Sequence, residues 1–355
     1  MFSFKVKNNK NNRSNKLKNI PLVLLVGALC ACFGGGASYF NWLVMTTVMY
    51  NVMVNNFIQT LGTFNVSNKY AKKWKIFLYL ASIFIAYFVY TWLKYDGNIR
   101  KGSLRHIEYK DSFGYSLLLL PILVALFNYF GIPVSIAFLS IPLFISGEIV
   151  KAMIAKAFLN YFLAFAISFI FWNILYVEFK KILKKKDNHK FWMIVEYISI
   201  GILWCCWLNT CVSSFMVFLP PKLDLKHLLL LLVIGTIIIS IITILRSNDK
   251  MEQIIEEKTD VNNIMFSVLF NVLHSVVLVV LKLNSEVPIA TSWIFTGLLD
   301  GRELGIVTKK SNSFSDQKYK LCLKKIVRDL CFNTIGIIIS LLFVRIIKMW
   351  SSYGI

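Results

Sequence analysis

The chain has 355 residues, of which 57% are hydrophobic and only 16% charged. A soluble globular protein is about 45–50% apolar and about 25% charged. These figures exclude disorder, a collagen helix and a coiled coil, and they point to a polytopic membrane protein rather than a water-soluble enzyme. The net charge of +21 is not a nucleic-acid footprint. The basic residues stand in short clusters between long apolar runs, where they would flank a bilayer. The Cys residues are odd in number and lack metal-like spacing, so neither a disulfide framework nor a zinc site is expected.

Residues 1–19 carry Lys5, Lys7, Lys10, Arg13, Lys16 and Lys18 and no acid. They read as a basic cytoplasmic tail before an uncleaved first helix. Residues 20–62 hold no charge. A straight helix of that length would be roughly 65 Å long, about twice a bilayer core. The run must turn, and Gly34, Gly35 and Gly36 mark the place, giving helices near 20–33 and 38–61. Further apolar runs follow at 74–93, 113–130, 133–149, 152–177, 191–219, 228–246, 263–282, 288–300 and 331–349. The runs 133–149 and 288–300 are short, and each begins with Pro. The expectation is an all-α polytopic membrane protein with about 10–12 transmembrane segments.

The expected layout is a first membrane repeat over 20–179, a basic linker at 180–190 and a second repeat over 191–300. A polar basic loop at 301–328 and a C-terminal helix over 329–355 complete it. Three basic clusters share the N-terminal side if each run crosses once. They lie around Lys69 to Lys75, Lys180 to Lys190 and Lys309 to Arg328. That side is expected to be the cytoplasm of a plasma or inner membrane. The loop at 247–262 falls there too despite Asp249, Glu252, Glu256, Glu257 and Asp260, because acids weigh little in the rule.

An internal repeat emerges from two pairs of segments. Asn51, Val54, Asn55, Asn56 and Phe57 follow the pattern Asn-x-x-Val-polar-polar-Phe, and Asn209, Val212, Ser213, Ser214 and Phe215 follow it again. A helix breaker comes next in each, Gly62 and Pro220. Downstream, Pro133, Ser135 and Glu148 answer to Pro288, Ala290 and Glu303. Both pairs have nearly the same offset. Five crossings between Asn51 and Asn209 make the copies inverted, the layout of a secondary transporter whose site lies where the repeats meet.

Polar groups in lipid are costly unless paired or facing water. Asn51 and Asn55 share a helix face, and Asn209 and Ser213 repeat that spacing. The candidate substrate-binding residues are Asn51, Asn55, Asn56, Asn209, Ser213, Ser214, Ser135, Thr291 and Ser292. A half-helix starting after each Pro would aim free N–H groups at an anion. Thr210, Glu148, Asp300 and Glu303 are candidates for ion coupling or gating, although Asp300 and Glu303 also read as an interfacial loop salt bridge.

At these residues the chain resembles the inorganic phosphate transporter (PiT) family. Its members carry two inverted copies of a motif like Gly-Ala-Asn-Asp-Val-Ala-Asn-Ser-Phe-Gly-Thr, each with a later partner like Pro-Val-Ser-Thr-Thr-His. Asn51, Asn55 and Phe57 match the first motif, and Asn209 and Phe215 match it again with Ser213 at the second Asn. Pro133, Val134 and Ser135 match the partner motif, as do Pro288 and Thr291. Val52 and Thr210 stand at the motif's Asp, and Phe138 and Trp293 at its His. In the family those Asp residues help to hold the coupling cation and the phosphate, so this chain lacks the family's groups for sodium coupling.

The function expected is secondary transport of a small inorganic anion, phosphate foremost, by alternating access, with the lipid bilayer as the other partner. The chain is expected not to be an enzyme and to use no cofactor. A coupling cation, Na+ or H+, and a homo-oligomeric assembly both stay open. The rival readings are a membrane enzyme on lipid-linked substrates and a non-transporting receptor or assembly protein. His106, His189, His227 and His274 lack an adjacent acid–base partner in the sequence, which disfavours the enzyme.

Overall fold

The computed structural model describes residues 38–67, 72–99, 104, 107, 120, 123, 135–145, 147–182, 189–245, 264–285, 287–310 and 317–352. The expected helix at 20–33, its glycine turn, the run at 113–130 save for two buried leucines, and Pro133 lie outside the described residues. Elements are numbered among those described. They are α1 (Ser38–Ser67), α2 (Lys73–Lys94), the short α3 (Ala137–Ser140), α4 (Gly147–Ile182) and α5 (His189–Met216). Then come α6 (Leu225–Ser240), α7 (Ile264–Leu283), α8 (Thr291–Lys310) and α9 (Gln317–Ser352).

Six of these helices are long and apolar enough to cross a membrane, and α1 holds a shorter apolar stretch, Phe40–Val54. Their faces are arranged for lipid. On α7 the outward residues are Val272, Val276, Val279 and Val280, while Ser267, Asn271, His274 and Ser275 are buried. On α4, Leu159, Phe162, Leu163 and Ile170 point outward, and Ala157, Tyr161, Ala164 and Ser168 point inward. Water would select the reverse. In lipid, apolar side chains gain nothing by leaving the solvent, so small and polar groups hold the helices together. The chain is an all-α membrane-spanning protein.

Among the described residues α5 packs on α7, and four further pairings position the site. Asn56 meets Cys211 and Phe64 meets Tyr197, so α1 and α5 run antiparallel. Gly235 packs on the Phe84 ring, while Trp92 Nε1 donates to the Leu223 carbonyl at 2.8 Å, so α2 and α6 run antiparallel too. The third pairing is parallel. On α8, Gly297, Gly301 and Gly305 face the carbonyls of Tyr161, Phe165 and Phe169 on α4. A Cβ at Gly297 would sit 2.5 Å from the Tyr161 oxygen, one at Gly305 2.9 Å from that of Phe169, and one at Gly301 closer still to that of Phe165. Only glycine at every fourth residue lets two backbones approach this closely. Ser168 Oγ donates to the Leu298 carbonyl at 2.6 Å across the same seam. In the fourth pairing α9 lies along α3 and the break that follows it, where Lys348 Nζ donates to the Ile145 carbonyl at 3.2 Å.

Two expectations change, and one open point is filled in. The sequence leaves open whether the short run after Pro133 spans or re-enters; in its described part α3 lasts one turn, a 3-10 turn at Ile141–Leu143 follows, and Pro142 sits in that turn. Pro288 does not open its helix, because residues 288–290 carry no helical assignment and α8 starts at Thr291. The stretch 301–328 is not a loop, since α8 continues to Lys310 and α9 begins at Gln317. Its charges had lowered the local hydropathy, but partners on neighbouring helices let the segment stay helical.

The turn between α2 and the strand-like bridge at Asn98 is fixed by backbone chemistry. Asp96 and Gly97 both take positive φ, 50° and 81°, the second a conformation suited to glycine. Gly97 N donates to the Trp92 carbonyl at 2.8 Å and caps α2, and Leu223 N donates back to the Gly97 carbonyl at 3.0 Å. The exposed Lys222 ammonium lies 2.9 Å from Asp96 and holds its carboxyl below the usual range.

Candidate functional site

Among the described residues, α8 contributes to two buried polar regions. The first is uncharged and surrounds the first turn of α8. Thr291 Oγ1 lies 3.5 Å from Cys211 Sγ on α5 and donates at 3.5 Å to Asn56 Oδ1 on α1. Asn56 Nδ2 donates to the Val52 carbonyl at 3.0 Å and points its other hydrogen at Cys211 Sγ, 4.0 Å away. Thr210 Oγ1 is 3.9 Å from the same sulfur. All four residues are buried. Helices α1, α5 and α8 thus meet through one side chain each. The α8 end is buried as well, from Ile289 to Trp293. A helix start leaves its first N–H groups without intrahelical acceptors, and the dipole makes that end attractive to an anion.

Of the residues singled out in the sequence, Asn56, Thr210 and Thr291 come together here. Ser213 and Ser214 are buried on α5, with Ser213 Oγ donating to the Thr210 carbonyl at 3.2 Å. Asn51 is buried a turn earlier on α1 and donates to the Thr47 carbonyl at 2.9 Å. Ser135 is buried ahead of α3, its carbonyl accepting from Phe138 N. Ser292 is buried beside Thr291. The Asn55 side chain lies outside the described residues. Asn209 does not join the cluster: it is exposed on the opposite side of α5 and accepts from the Tyr87 hydroxyl at 3.4 Å. Residues 209 and 211 are two apart on a helix, so they cannot share a face. Cys211 was the missed residue. Its signal was position, since it lies seven residues beyond Trp204 on the buried side of α5.

The second region is charged and lies further along α8, against α4 and α9. Asp300 is fully buried and accepts from the Tyr161 hydroxyl at 2.9 Å. The Arg302 guanidinium, 3% exposed, sits 5.0 Å from the Trp172 ring centroid. Glu303 is paired with Lys325 of α9 at 2.9 Å. These are not an interfacial loop, as the sequence suggested, because charges with partners can be carried inside a helical bundle. Glu148 stands apart, exposed in the first turn of α4 where its charge suits the helix dipole.

Of the histidines, His227 stacks on Trp42 at 5.7 Å, and His274 is buried between Phe270 and Phe295. The side chains of His106 and His189 lie outside the described residues. Comparison with known protein families, curated proteins and solved structures finds no match.

Proposed function

We propose that this membrane protein is a secondary transporter of a small inorganic anion, phosphate foremost, working by alternating access between two inverted repeats. The observation that carries the reading is Thr291. It stands at the buried start of α8 and touches Asn56 of the first half and Cys211 of the second. Such a junction supplies donors, a positive helix end and no fixed carboxylate, which is what a bound anion needs.

The pairing pattern supports the inverted repeat. The element order α1, α2, α3, α4 in the first half is answered by α5, α6, α8, α9 in the second, with α4 and α9 each 36 residues long. Under that correspondence α1 pairs with its own counterpart α5, and α2 with α6, both antiparallel as an in-plane pseudo-two-fold axis requires. The pairing of α8 on α4 is answered by that of α3 on α9. We assign the N-terminus to the cytoplasmic side of the plasma or inner membrane on the basic clusters.

The test is uptake of labelled phosphate by the purified full chain in proteoliposomes, with imposed Na+ or proton gradients. Thr291→Val and Asn56→Ala are expected to cut uptake at least tenfold while the protein elutes as a folded species. Asn209→Ala is expected to keep most of it. Full uptake by both Thr291→Val and Asn56→Ala would overturn the proposal.

A further inference from the structure

Resting on the transporter reading, we infer that the first turn of α8 and the His274 face of α7 form one binding site for a small protonated oxyanion. It selects an oxyanion that both donates and accepts hydrogen bonds, such as hydrogen phosphate, over one that only accepts, such as sulfate.

Two buried side chains carry the inference. His274 is 1% exposed, and among the described residues neither Nδ1 nor Nε2 has a hydrogen-bond partner. Ser292 is 4% exposed, and its Oγ has none either. Buried polar side-chain atoms are overwhelmingly hydrogen-bonded in folded proteins, so each such group calls for a reason. Phe295 stands beside both. The His274 ring lies 5.7 Å from the Phe295 ring, and Ser292 is one turn before Phe295 on α8. Beside Ser292, Thr291 already bridges to Asn56 and Cys211. The N–H groups of Thr291 and Ser292 precede the first carbonyl that α8 could offer them. His274 thus sets α7 against α8 one turn beyond the junction of α1, α5 and α8. Phe270 and Phe295, both buried, wall it with apolar surface that keeps water from competing.

The kind of ligand follows from the groups. The α8 N–H groups only donate, and they suit an anion's oxygens. A neutral imidazole has one donor nitrogen and one acceptor nitrogen, and a hydroxyl both donates and accepts. A ligand made only of acceptors leaves the bare imidazole nitrogen unmatched. A P–OH group satisfies it. Sites built to bond a ligand's hydroxyl reject analogues that lack it by large factors, because a buried partner is then left unpaired.

The experiment measures binding of labelled inorganic phosphate to the full chain in nanodiscs, with sulfate and chloride as competitors, alongside phosphate uptake in proteoliposomes. Expected are phosphate binding that tenfold excess sulfate does not displace, and at least tenfold weaker binding in both His274→Phe and Ser292→Ala. His274→Phe keeps an aromatic ring in place. Ser292→Ala removes a single oxygen and keeps the question answerable should the histidine variant misfold. Cys331→Ala, at an exposed position, is the control expected to bind normally. Unchanged affinity in the folded variants, with uptake intact, overturns this site and leaves the transporter standing. Equal displacement by sulfate overturns the selectivity. A wild-type chain that neither binds nor moves phosphate overturns both.

Discussion

The first turn and the middle of α8 are built by opposite rules. Its first turn carries Thr291 and Ser292, uncharged, with donors that reach α1 and α5 or reach no side chain at all. Two turns on, it carries Asp300, Arg302 and Glu303, each set against a group on α4 or α9. Between and among these charges run the glycines that press α8 onto α4. The difference separates two uses of polarity in lipid. Where a charge has a partner within the chain, it fastens helices. On the transporter reading, neutral donors gathered at a helix start are what a ligand that comes and goes would use.

That contrast can be broken most severely at the glycine seam. Gly301→Leu would drive a side chain into the Phe165 backbone carbonyl, which cannot swing away. We expect a loss of about 3 kcal/mol or more, the upper end for overpacking. It would be read as a collapse of the monodisperse peak after mild heating in detergent. Gly147→Ala, with nothing within 4 Å of its Cβ position, should melt like the wild type. If both glycine variants behave alike, the seam is not what fastens α8.

A smaller effect is expected from Tyr161→Phe. It removes one hydroxyl that donates to a buried carboxylate and should cost about 1–3 kcal/mol of stability. Phosphate affinity measured at saturating stability conditions should hardly move. Asn56→Ala should show the reverse profile, with weakened uptake and a nearly unchanged melt. Matching profiles for the two would erase the distinction between a fastening middle and a binding first turn.

The smallest effect calibrates the other two. Asp96 and Lys222 form an ion pair at the exposed end of α2, outside both regions. Lys222 lowers the Asp96 carboxyl below its ordinary range, so the folded state favours the ionised form. The pair's contribution is therefore complete above that ordinary range and fades as pH falls through the lowered value. The melting difference between wild type and Asp96→Asn should be slight at pH 7 and shrink as pH falls below the ordinary carboxylate range. A difference that grows on acidification would contradict this sign.

Much of this was legible before any coordinates. Runs of 18 or more apolar residues find lipid whatever their neighbours, so 74–93, 191–219 and 263–282 became helices close to their expected bounds. Asn56 and Thr291 could be named because polar atoms in such runs require a reason. What the chain could not disclose was which side of α5 faces inward. Asn209 looked the stronger candidate, and Cys211, two residues on, took the inner place. Window hydropathy also failed at 301–328. Charges lower an average even when, like Glu303, they are paired with a lysine on the next helix. The glycines at 297, 301 and 305 were visible at a spacing of four, but their partner surface lies more than a hundred residues upstream.

That separation has a consequence for biosynthesis. The inner face of α4 leaves the ribosome long before α8 exists, because the bond from Tyr161 to Asp300 spans 139 positions. The break after α3 waits longer still, since Lys348 reaches Ile145 across 203. Each half thus enters the bilayer with a seam that only the other can close. Insertion of α9, rather than of the segments before it alone, closes the seam at Ile145.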